Sequence, residues 1–494
     1  MKRLITFALA FAMVLSLAAC GASEPAAPAA TEAPAAEAAP AATETPAPAE
    51  PKSVETDLAS MTWDEILEEA NGQSVTLNVY NADAQVAKYW DALAEMADEY
   101  GIDVTIVSET GDTDARMIAD YQAGDPASYD MTWGYYGGTF KAYHDAGLLW
   151  GDNNEQWVKY LPNAKYIDWD SSTYAYDCGL PTNYMVSPLM GLTPMLIYLS
   201  TNYDASLAWD ETRTAEDGST IYGLFHDLTE LHQWVQKYPG KFTYLDLAGS
   251  GAFHGRCFVF SILYELTDDG NGGWKAVYEA SDDMATRYAK IEENAQMWYN
   301  WMATEEATQE AFMEKAGYVW AYLNDLEPHL LQGDNGALYG SDAYAMADYV
   351  NAGTLATSFT TSFSISPKIQ NDPSYLKGAG QAFMMQTSVF AADFMLITKN
   401  SQSKAACMVL ANLMLDPKVQ ADGFAVTGNT YNLDLTKLEA EDAAYFEEVF
   451  AALIPGTTPS SDDLANFSHA NIGGSIMSWL TDCWTQCVVQ QQAK

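Results

Sequence analysis

Helix-like and strand-like segments alternate along residues 62–145, and this alternation constrains the fold more than any other feature of the sequence. Thr62-Trp63-Asp64-Glu65 has the pattern of a capping box, which predicts a helix that begins there and stops at Gly72. The segments that follow are predicted strand Ser74–Tyr80, a helix with Val86, Trp90, Leu93 and Ala97 on one face, strand Ile102–Val107, helix Thr113–Ala123, strand Tyr129–Trp133 and helix Gly138–Asp145. Such alternation predicts an α/β fold with a parallel, doubly wound sheet.

A second α/β run follows, so the sequence predicts two lobes. Its elements are strand Met195–Ser200, helix Leu228–Tyr238, strand Phe242–Leu247 and a helix over Ala252–Leu266. Later segments are a mainly helical stretch over 282–324, helix Ser341–Asn351, an extended segment Thr354–Phe363, strand Phe394–Thr398, helix Lys404–Leu415 ended by Pro417, and helices Asp442–Leu453 and Ile472–Gln490. We expect lobe 1 to start with residues 57–190, lobe 2 to span 191–355, and 356–494 to hold return crossings to lobe 1 and the C-terminal helices.

The first 56 residues are predicted to be a secretion leader and a tether. Lys2-Arg3 precedes a short apolar run, and Leu17-Ala18-Ala19-Cys20-Gly21 looks like the lipobox of bacterial lipoproteins, which implies cleavage before Cys20 and its lipidation. An ordinary signal peptide with an incidental cysteine is the alternative. Residues 21–56 are predicted to be a disordered tether, because 14 of the 32 residues in 21–52 are Ala, 7 are Pro and none is a large apolar side chain.

Charge and motif content exclude several functions. The net charge is −44, and it becomes −46 once Lys2 and Arg3 leave with the leader. Nucleic-acid binding needs clustered Lys and Arg, which the sequence lacks. Phosphate-loop, dinucleotide, serine-hydrolase and zinc-protease motifs are absent, and no two of the six His lie at i,i+4, so we predict no cofactor and no metal. The five cysteines after Cys20 are expected to be buried free thiols.

Candidate binding residues follow the predicted strands of the first run. Ligands of open α/β sheets bind beyond the carboxyl ends of the strands, where loops and helix starts meet. The first strand leads into Tyr80, Asn81 and Asp83, and the third ends in Trp133, Tyr135 and Tyr136 between glycines. These rings could instead close the core, and for Trp133 both interpretations stay open.

Other candidates follow later strands and probable crossings. Asp246 to Phe253 passes from strand to helix through small residues, so Ser250 and the Gly251 N–H could hold a polar ligand group. A tight turn capped by Ser250 is the alternative. Tyr184 and Ser358 lie where the chain would re-enter a shared cleft.

A lipidated, tethered, two-lobed α/β body resembles the solute-binding proteins of bacterial ABC importers that have the type II periplasmic-binding fold. Stretches similar to the YnjB-type branch are Ala70 to Val75, Tyr129 to Trp133 with Phe140, Ala146 to Gly151, Leu161 to Asn163, Pro239 to Tyr244 running into Gly249 to Phe253, and Lys404 to Pro417. The chain departs from that branch at Tyr80-Asn81, where a Trp or Gly-rich loop is usual, and at Tyr135-Tyr136, which replaces a more polar pair. These departures fall at expected ligand contacts.

The resemblance implies a monomer, anchored at the cell surface or in the periplasm, that captures a small solute in an interlobe cleft. Closure about a hinge would let it deliver the solute to a permease driven by an ATPase. Rings beside Asp83 favour an organic cation, such as a thiamine-like or polyamine-like molecule, over a carbohydrate. Alternatives of other classes are a thiaminase-like enzyme that uses Cys178 as its nucleophile and a purely adhesive surface protein.

Overall fold

The computed structural model describes residues 58–79, 84–108, 113–134, 138–151, 156–177, 180–199, 213–214, 220–221, 225–248, 252–302, 304–360, 362–377, 380–471 and 475–492. The leader and the tether lie outside these residues. From Val54 onward the chain forms a single unit.

The strands are β1 Ser74–Asn78, β2 Asp103–Val107, β3 Met131–Gly134, β4 Tyr176–Asp177, β5 Leu180–Pro181, β6 Ser187–Leu192, β7 Met195–Leu199, β8 Arg213–Thr214, β9 Thr220–Ile221, β10 Leu266–Asp268, β11 Trp274–Ala276, β12 Gln332–Gly333, β13 Gly336–Ala337, β14 Ser358–Thr360, β15 Gly380–Phe383, β16 Ser388–Ile397 and β17 Ser468–Ala470. Two sheets have three or more of these strands.

The α-helices are α1 Trp63–Ala70, α2 Ala84–Asp98, α3 Thr113–Ala123, α4 Gly138–Ala146, α5 Ser172–Ala175, α6 Leu228–Lys237, α7 Ala252–Glu265, α8 Met284–Met302, α9 Gln309–Lys315, α10 Gly317–Leu326, α11 Ala343–Asn351, α12 Ser366–Asn371, α13 Lys404–Met414, α14 Pro417–Thr427, α15 Ala440–Ala452, α16 Ser461–Phe467, α17 Ser475–Trp484 and α18 Gln490–Gln492. A π-helical turn, Thr485–Val489, joins the last two. Short 3-10 helices are Leu58–Ser60, Trp157–Tyr160, Pro162–Tyr166, Glu327–His329 and Leu435–Lys437. Within the described residues, no helix has both the length and the apolar character that a bilayer span requires.

The larger sheet has the order β17-β16-β3-β1-β2, and β6 pairs with β16. Strands β1, β2 and β3 are parallel, as the first run of the sequence predicts. Strand β16 runs antiparallel to both β3 and β6, so the sheet is mixed and the prediction of a purely parallel sheet is wrong. The reason is that β16 returns from the far end of the chain, and local periodicity carries no information about its direction.

The smaller sheet is antiparallel, with β7 between β14 and β15. The predicted strand Phe242–Leu247 does not belong to it. That segment is buried, but its ladder is limited to one bridge between Leu245 and Gly340. The apolar run of this segment correctly indicates burial but not which sheet it joins. The strands that complete the smaller sheet, β14 and β15, lie more than 150 residues after β7 in the chain. The second α/β run is therefore only partly confirmed.

The chain passes between the two sheets at two adjacent places. Thr193 and Pro194 join β6 to β7, and residues 384–387 join β15 to β16. The Ser388 hydroxyl donates to the Pro194 carbonyl oxygen at 2.6 Å, which ties one crossing to the other. A third segment meets them, because Thr430 exchanges two backbone hydrogen bonds with Gly191, at 2.7 and 2.8 Å. The predicted lobe boundaries stay predictions.

Most helices confirm the sequence analysis because their signals are local. The capping box at Thr62 forms, with Glu65 as its N3 residue, and α3 has the predicted bounds. Pro417 does more than end α13, since it is the first residue of α14 after the N-cap Asp416. The predicted helix Ile472–Gln490 is α17 followed by the π-helical turn. The described cysteines are free thiols: Cys257, Cys407 and Cys483, which are buried, and Cys487, which is partly buried.

Substitution of Gly428 tests the contact that holds the end of α14. Gly428 has φ 74°, and a Cβ there would clash with the Ser364 backbone oxygen. Gly124, which follows α3, has φ 81° and open space around the same position. Gly124→Ala should lower the free energy of unfolding by about 1 kcal/mol through left-handed strain alone. Gly428→Ala should cost a further ~1–3 kcal/mol, because a backbone atom cannot move aside as a side chain can. Equal losses in urea titrations of the two variants would contradict the close contact.

Candidate functional site

The carboxyl ends of β1 and β3 lie at one edge of the larger sheet, because these strands are parallel neighbours. The residues that follow them, 80–83 and 135–137, lie outside the described residues, and helices α2 and α4 begin directly after them. The predicted contacts Tyr80, Asn81, Asp83, Tyr135 and Tyr136 therefore stay predictions. This edge, called the sheet edge below, corresponds to the position where open α/β sheets generally bind ligands.

Trp133 lies near the sheet edge, on β3. Its side chain is only 4% exposed, and its ring meets Trp90 of α2 edge-on with 5.7 Å between centroids. The indole thus contacts the core through Trp90. It is also the residue directly opposite Met395 of the crossing strand β16.

Asp393, a candidate that the sequence analysis missed, lies on β16 where β3 ends. Phe394 is opposite Gly134, the last residue of β3, so Asp393 is one residue beyond the end of that strand. Its carboxyl is buried, with 1% exposure, where the register of β16 against β6 shifts. Aspartate is seldom buried to this extent, which makes Asp393 a candidate functional residue.

The sequence contains a feature that marks Asp393 as a candidate. It is the lone acid in the apolar run Val389 to Ile397. The predicted strand began at Phe394, one residue too late to include it. An acidic residue inside a buried strand should have been weighed as a candidate.

Tyr184 makes its described ring contacts elsewhere. Its ring centroid lies 4.6 Å from that of Trp169, and the Lys159 ammonium is 4.5 Å from its centroid. Asn183 and Tyr184 both have positive φ, 47° and 60°. Two consecutive non-glycine residues in this region store backbone strain, which is common near functional sites. The described contacts do not bring Tyr184 together with Trp133.

Ser358 is the first residue of β14 and is opposite Ile197 of β7. Its side chain has 0% exposure, and within the described residues its hydroxyl has no hydrogen-bond partner. The structure thus places Ser358 inside the smaller sheet. It is not brought together with Trp133 or Tyr184.

Lys368 of α12 places a positive charge near the start of α7. Ser250 and Gly251 lie outside the described residues, and His254 is in the first turn that follows them. Burial, and then the nearby Lys368 ammonium, lower the pKa of His254 to about 3, against an opposite effect of Asp342. The imidazole is therefore neutral at pH 7, and Lys368 provides the charge. The Lys368 ammonium lies 5.8 and 5.6 Å from the ring centroids of Tyr344 and Tyr375.

One face of α8 joins the helices around the smaller sheet to segments of the larger one. Glu292 Oε2 is 2.8 Å from Nδ1 of the buried His469 on β17, and its Oε1 accepts from Ser172 at 3.3 Å. Tyr288, one turn earlier, stacks on the His469 ring with 4.5 Å between centroids. Tyr299 further along contacts Tyr176 of β4 at 4.7 Å. The hydrogen bond from His469 is the largest cause that lowers the pKa of Glu292.

Buried carboxyl groups also lie close to residues 384–387, the crossing that joins β15 to β16. Glu265 accepts hydrogen bonds from the Leu228 N–H at 2.8 Å and from the Tyr278 hydroxyl at 2.9 Å. Burial, and then the Asp227 carboxylate, raise the pKa of Glu265. Arg287 compensates part of the negative charge of Asp227, because its Nη1 is 3.4 Å from Asp227 Oδ2. The same Nη1 donates at 3.3 Å to Oε1 of Gln386, which lies in that crossing. Titratable groups therefore contact residues 384–387, which join β15 to β16.

Comparison with solved structures identifies the class of fold. The cyclic α-maltosyl-1,6-maltose binding protein from Arthrobacter globiformis matches with a TM-score of 0.50 and 14% identity, over 85% of this chain and 98% of that one. The bacterial solute receptor AcbH matches with a TM-score of 0.50 and 12% identity, over 88% and 96%. The chain has the two-sheet α/β fold of type II periplasmic-binding proteins, which confirms the predicted fold class.

The particular resemblance is also confirmed. The chain is 26% identical to Protein YnjB of Escherichia coli K12 over 388 residues, which are 76% of this chain and 84% of that protein. No family model matches the sequence.

The pH dependence of stability tests the Glu292 contacts. A carboxyl whose pKa is lower in the folded state contributes stability above its unfolded pKa, and this contribution disappears as pH falls through the folded pKa. Glu292→Gln should therefore lower the free energy of unfolding at pH 7 by about 1 kcal/mol, since the side chain is partly exposed to solvent. The difference from wild type should shrink as the pH of the urea titration approaches 3.

The exposed neighbour Glu293 provides the control. Glu293→Gln should leave stability unchanged within about 0.5 kcal/mol. A loss in Glu292→Gln that stays constant from pH 7 to pH 3 would contradict the ionic origin of its contribution.

Proposed function

We propose that this protein is the solute-binding component of an ABC importer. The observation that carries the proposal is the pair of adjacent crossings between two sheets, with a ring and a carboxyl at the edge of the larger sheet. The similarity to YnjB over most of both chains supports it. A solute captured between the sheets would be handed to a permease driven by its ATPase.

Closure on the solute is a population shift. A solute that touches residues around both sheets at once does so only in the closed state, so its extra affinity for that state moves the equilibrium. The two crossings are short and hydrogen-bonded to each other through Ser388 and Pro194, which suits a hinge that bends without unravelling.

We infer an organic cation as the solute. Trp133 is the last residue but one of β3, Asp393 lies one residue beyond the end of that strand, and the predicted contacts Asp83, Tyr135 and Tyr136 follow the neighbouring strand ends. A ring face attracts a cation by ~0.5 to 2 kcal/mol, and a buried carboxylate adds a formal counter-charge. Ser250 and the Gly251 N–H, just before α7, would suit a polar end of the same molecule.

A carbohydrate is the second candidate. Tyrosine and tryptophan rings also stack on sugars, and the names of both matched solved proteins state a sugar as their ligand. Asp393 would then accept hydrogen bonds from hydroxyl groups instead of pairing with a cation.

We propose that the protein performs no covalent chemistry. The solved proteins named above are binding proteins. Cys178, the candidate nucleophile of a thiaminase-like enzyme, lies outside the described residues. An incubated solute that is recovered unchanged would agree with transport, and turnover that Cys178→Ser abolishes would establish the enzyme.

The proposed cellular arrangement follows from the first 56 residues. A lipid on Cys20 would anchor the protein at the cell surface or in the periplasm, and the Ala-, Pro- and Glu-rich segment would hold the folded body, as a monomer, away from the bilayer.

A thermal-shift panel of cations, sugars and anions tests the function and the solute class together. Binding stabilises the folded state by RT ln(1 + [L]/Kd), which is about 2.7 kcal/mol at a hundredfold excess over Kd. Polyamines or thiamine-like cations should raise Tm, whereas neutral sugars should not. Hits confined to sugars would replace the cation by a carbohydrate. A panel without any hit would contradict solute capture and favour an adhesive protein.

Asp393→Asn tests the counter-charge. The amide keeps the shape of the side chain and removes the charge, so affinity for a cationic hit should fall by at least about tenfold, equivalent to ~1.4 kcal/mol. Isothermal titration gives the affinity, and urea titration gives stability separately. The exposed Asp98 on α2 supplies the control, Asp98→Asn, which should bind as wild type does. Unchanged affinity together with lower stability would make Asp393 structural only.

A further inference from the structure

A cavity lies against the smaller sheet. It has a volume of about 300 Å³, which is at the lower end of the range for small-molecule pockets. Strands β7 and β15 form one wall, and the segment from Gly456 to Phe467 forms the opposite one. Neither Trp133 nor Asp393 lines it, so it is a different place from the sheet edge.

Four aromatic residues line this cavity: Tyr198, Phe225, Phe383 and Phe467. Their placement follows from the register, because Tyr198 is opposite Gln381, and Phe383, two residues along β15, is on the same face. The ring of Phe383 meets those of Tyr198 and Phe225 at 6.0 and 6.1 Å between centroids, with interplanar angles of 68° and 71°. The Phe383 ring is thus steeply inclined to both of its neighbours and does not stack flat on either.

A carboxylate lines this cavity. Among the described residues that line it there is no Lys or Arg, and Asp463 of α16 supplies a carboxylate. His226 also lines it, with Nδ1 3.1 Å from Oε2 of Glu230, so a second carboxylate lies behind the imidazole. Ring faces and carboxylates together attract cations and disfavour anions.

We propose that this cavity binds a small organic cation of the quaternary ammonium type, at a site separate from the transported solute. A quaternary ammonium has no N–H donors to satisfy, and its methyl groups contact ring faces while its charge interacts with Asp463. The size of the cavity fits such a cation with a short substituent, and excludes an oligosaccharide.

Choline and 3,3-dimethyl-1-butanol, its uncharged analogue of the same shape, provide the test on the full chain. Isothermal titration should show saturable choline binding, with affinity at least about tenfold above that of the uncharged analogue. Phe383→Leu and Phe467→Leu keep apolar bulk but remove the ring, and each should weaken choline by about 2- to 30-fold. Asp463→Asn should weaken it by about tenfold.

The control is chosen because Asp463 also caps α16. Its Oδ2 accepts from the Ser460 N–H at 3.1 Å, while the Asp463 N–H donates to Ser460 Oγ at 3.0 Å. Urea titration of Asp463→Asn therefore measures the loss of the cap separately from the loss of choline affinity. Asp462→Asn, at the exposed neighbour on α16 that does not line the cavity, removes a carboxylate nearby and should retain choline affinity. Asp393→Asn should also leave this binding unchanged.

Three results would overturn the proposal. Equal affinity for choline and its uncharged analogue would show that the cavity recognises the apolar shape and has no preference for a positive charge. Choline binding that Asp393→Asn removes, and the Asp463 and Phe383 variants do not, would belong to the sheet edge. Absence of choline binding would exclude the site, and would leave solute capture at the sheet edge unaffected, because that is measured with a different panel.

Discussion

Strand β16 is the constraint on which the rest of the structure depends. Four residues separate it from β15 of the smaller sheet, and it pairs with β17, β6 and β3 in the larger one. Every backbone group of a buried strand needs a partner, so its ten residues must satisfy both neighbours at once. This strand and the other crossing, Thr193-Pro194, therefore set the position of the smaller sheet relative to β1 and β3.

The same strand brings an unusual amount of buried polarity to the junction. Asp393 lies within it, and Glu265, Asp227 and Arg287 surround the segment that leads into it. A purely apolar junction would be more stable, since buried ions lose hydration that their pairing repays incompletely. The polarity therefore has to be explained by something other than stability. The proposed opening and closing would need a junction that can adopt two arrangements, and hydrogen-bonded polar groups can change partners where a close-packed apolar contact cannot.

Sequence patterns within a short segment predicted the helices of that segment well. They could not predict which distant segments pair in a sheet. The bounds of α3 and the capping box at Thr62 depend on neighbouring residues alone, and both are confirmed. The smaller sheet combines strands that begin at residues 195, 358 and 380, and no periodicity links them. The site divides in the same way. Trp133 was visible at a strand end, and Asp393 would have been visible with a better strand boundary, whereas Glu292 and His469 meet across 177 residues of sequence.

The net charge of −44 does not determine which solute the protein selects. Exposed charges are screened beyond about 8 Å at physiological ionic strength, so most of the 67 acids act on the approach of a solute and little on its final affinity. Inside a closed cleft the effective dielectric is lower and the interaction with a single carboxylate becomes correspondingly stronger. In the proposed site Asp393 and Trp133 would act at that range. The proposed selectivity then depends on whether one molecule can satisfy both the carboxylate and the ring. A neutral sugar would gain stacking on the ring and hydrogen bonds to the carboxylate, whereas an organic cation would also gain the attraction between opposite charges, which is larger in a site that excludes water.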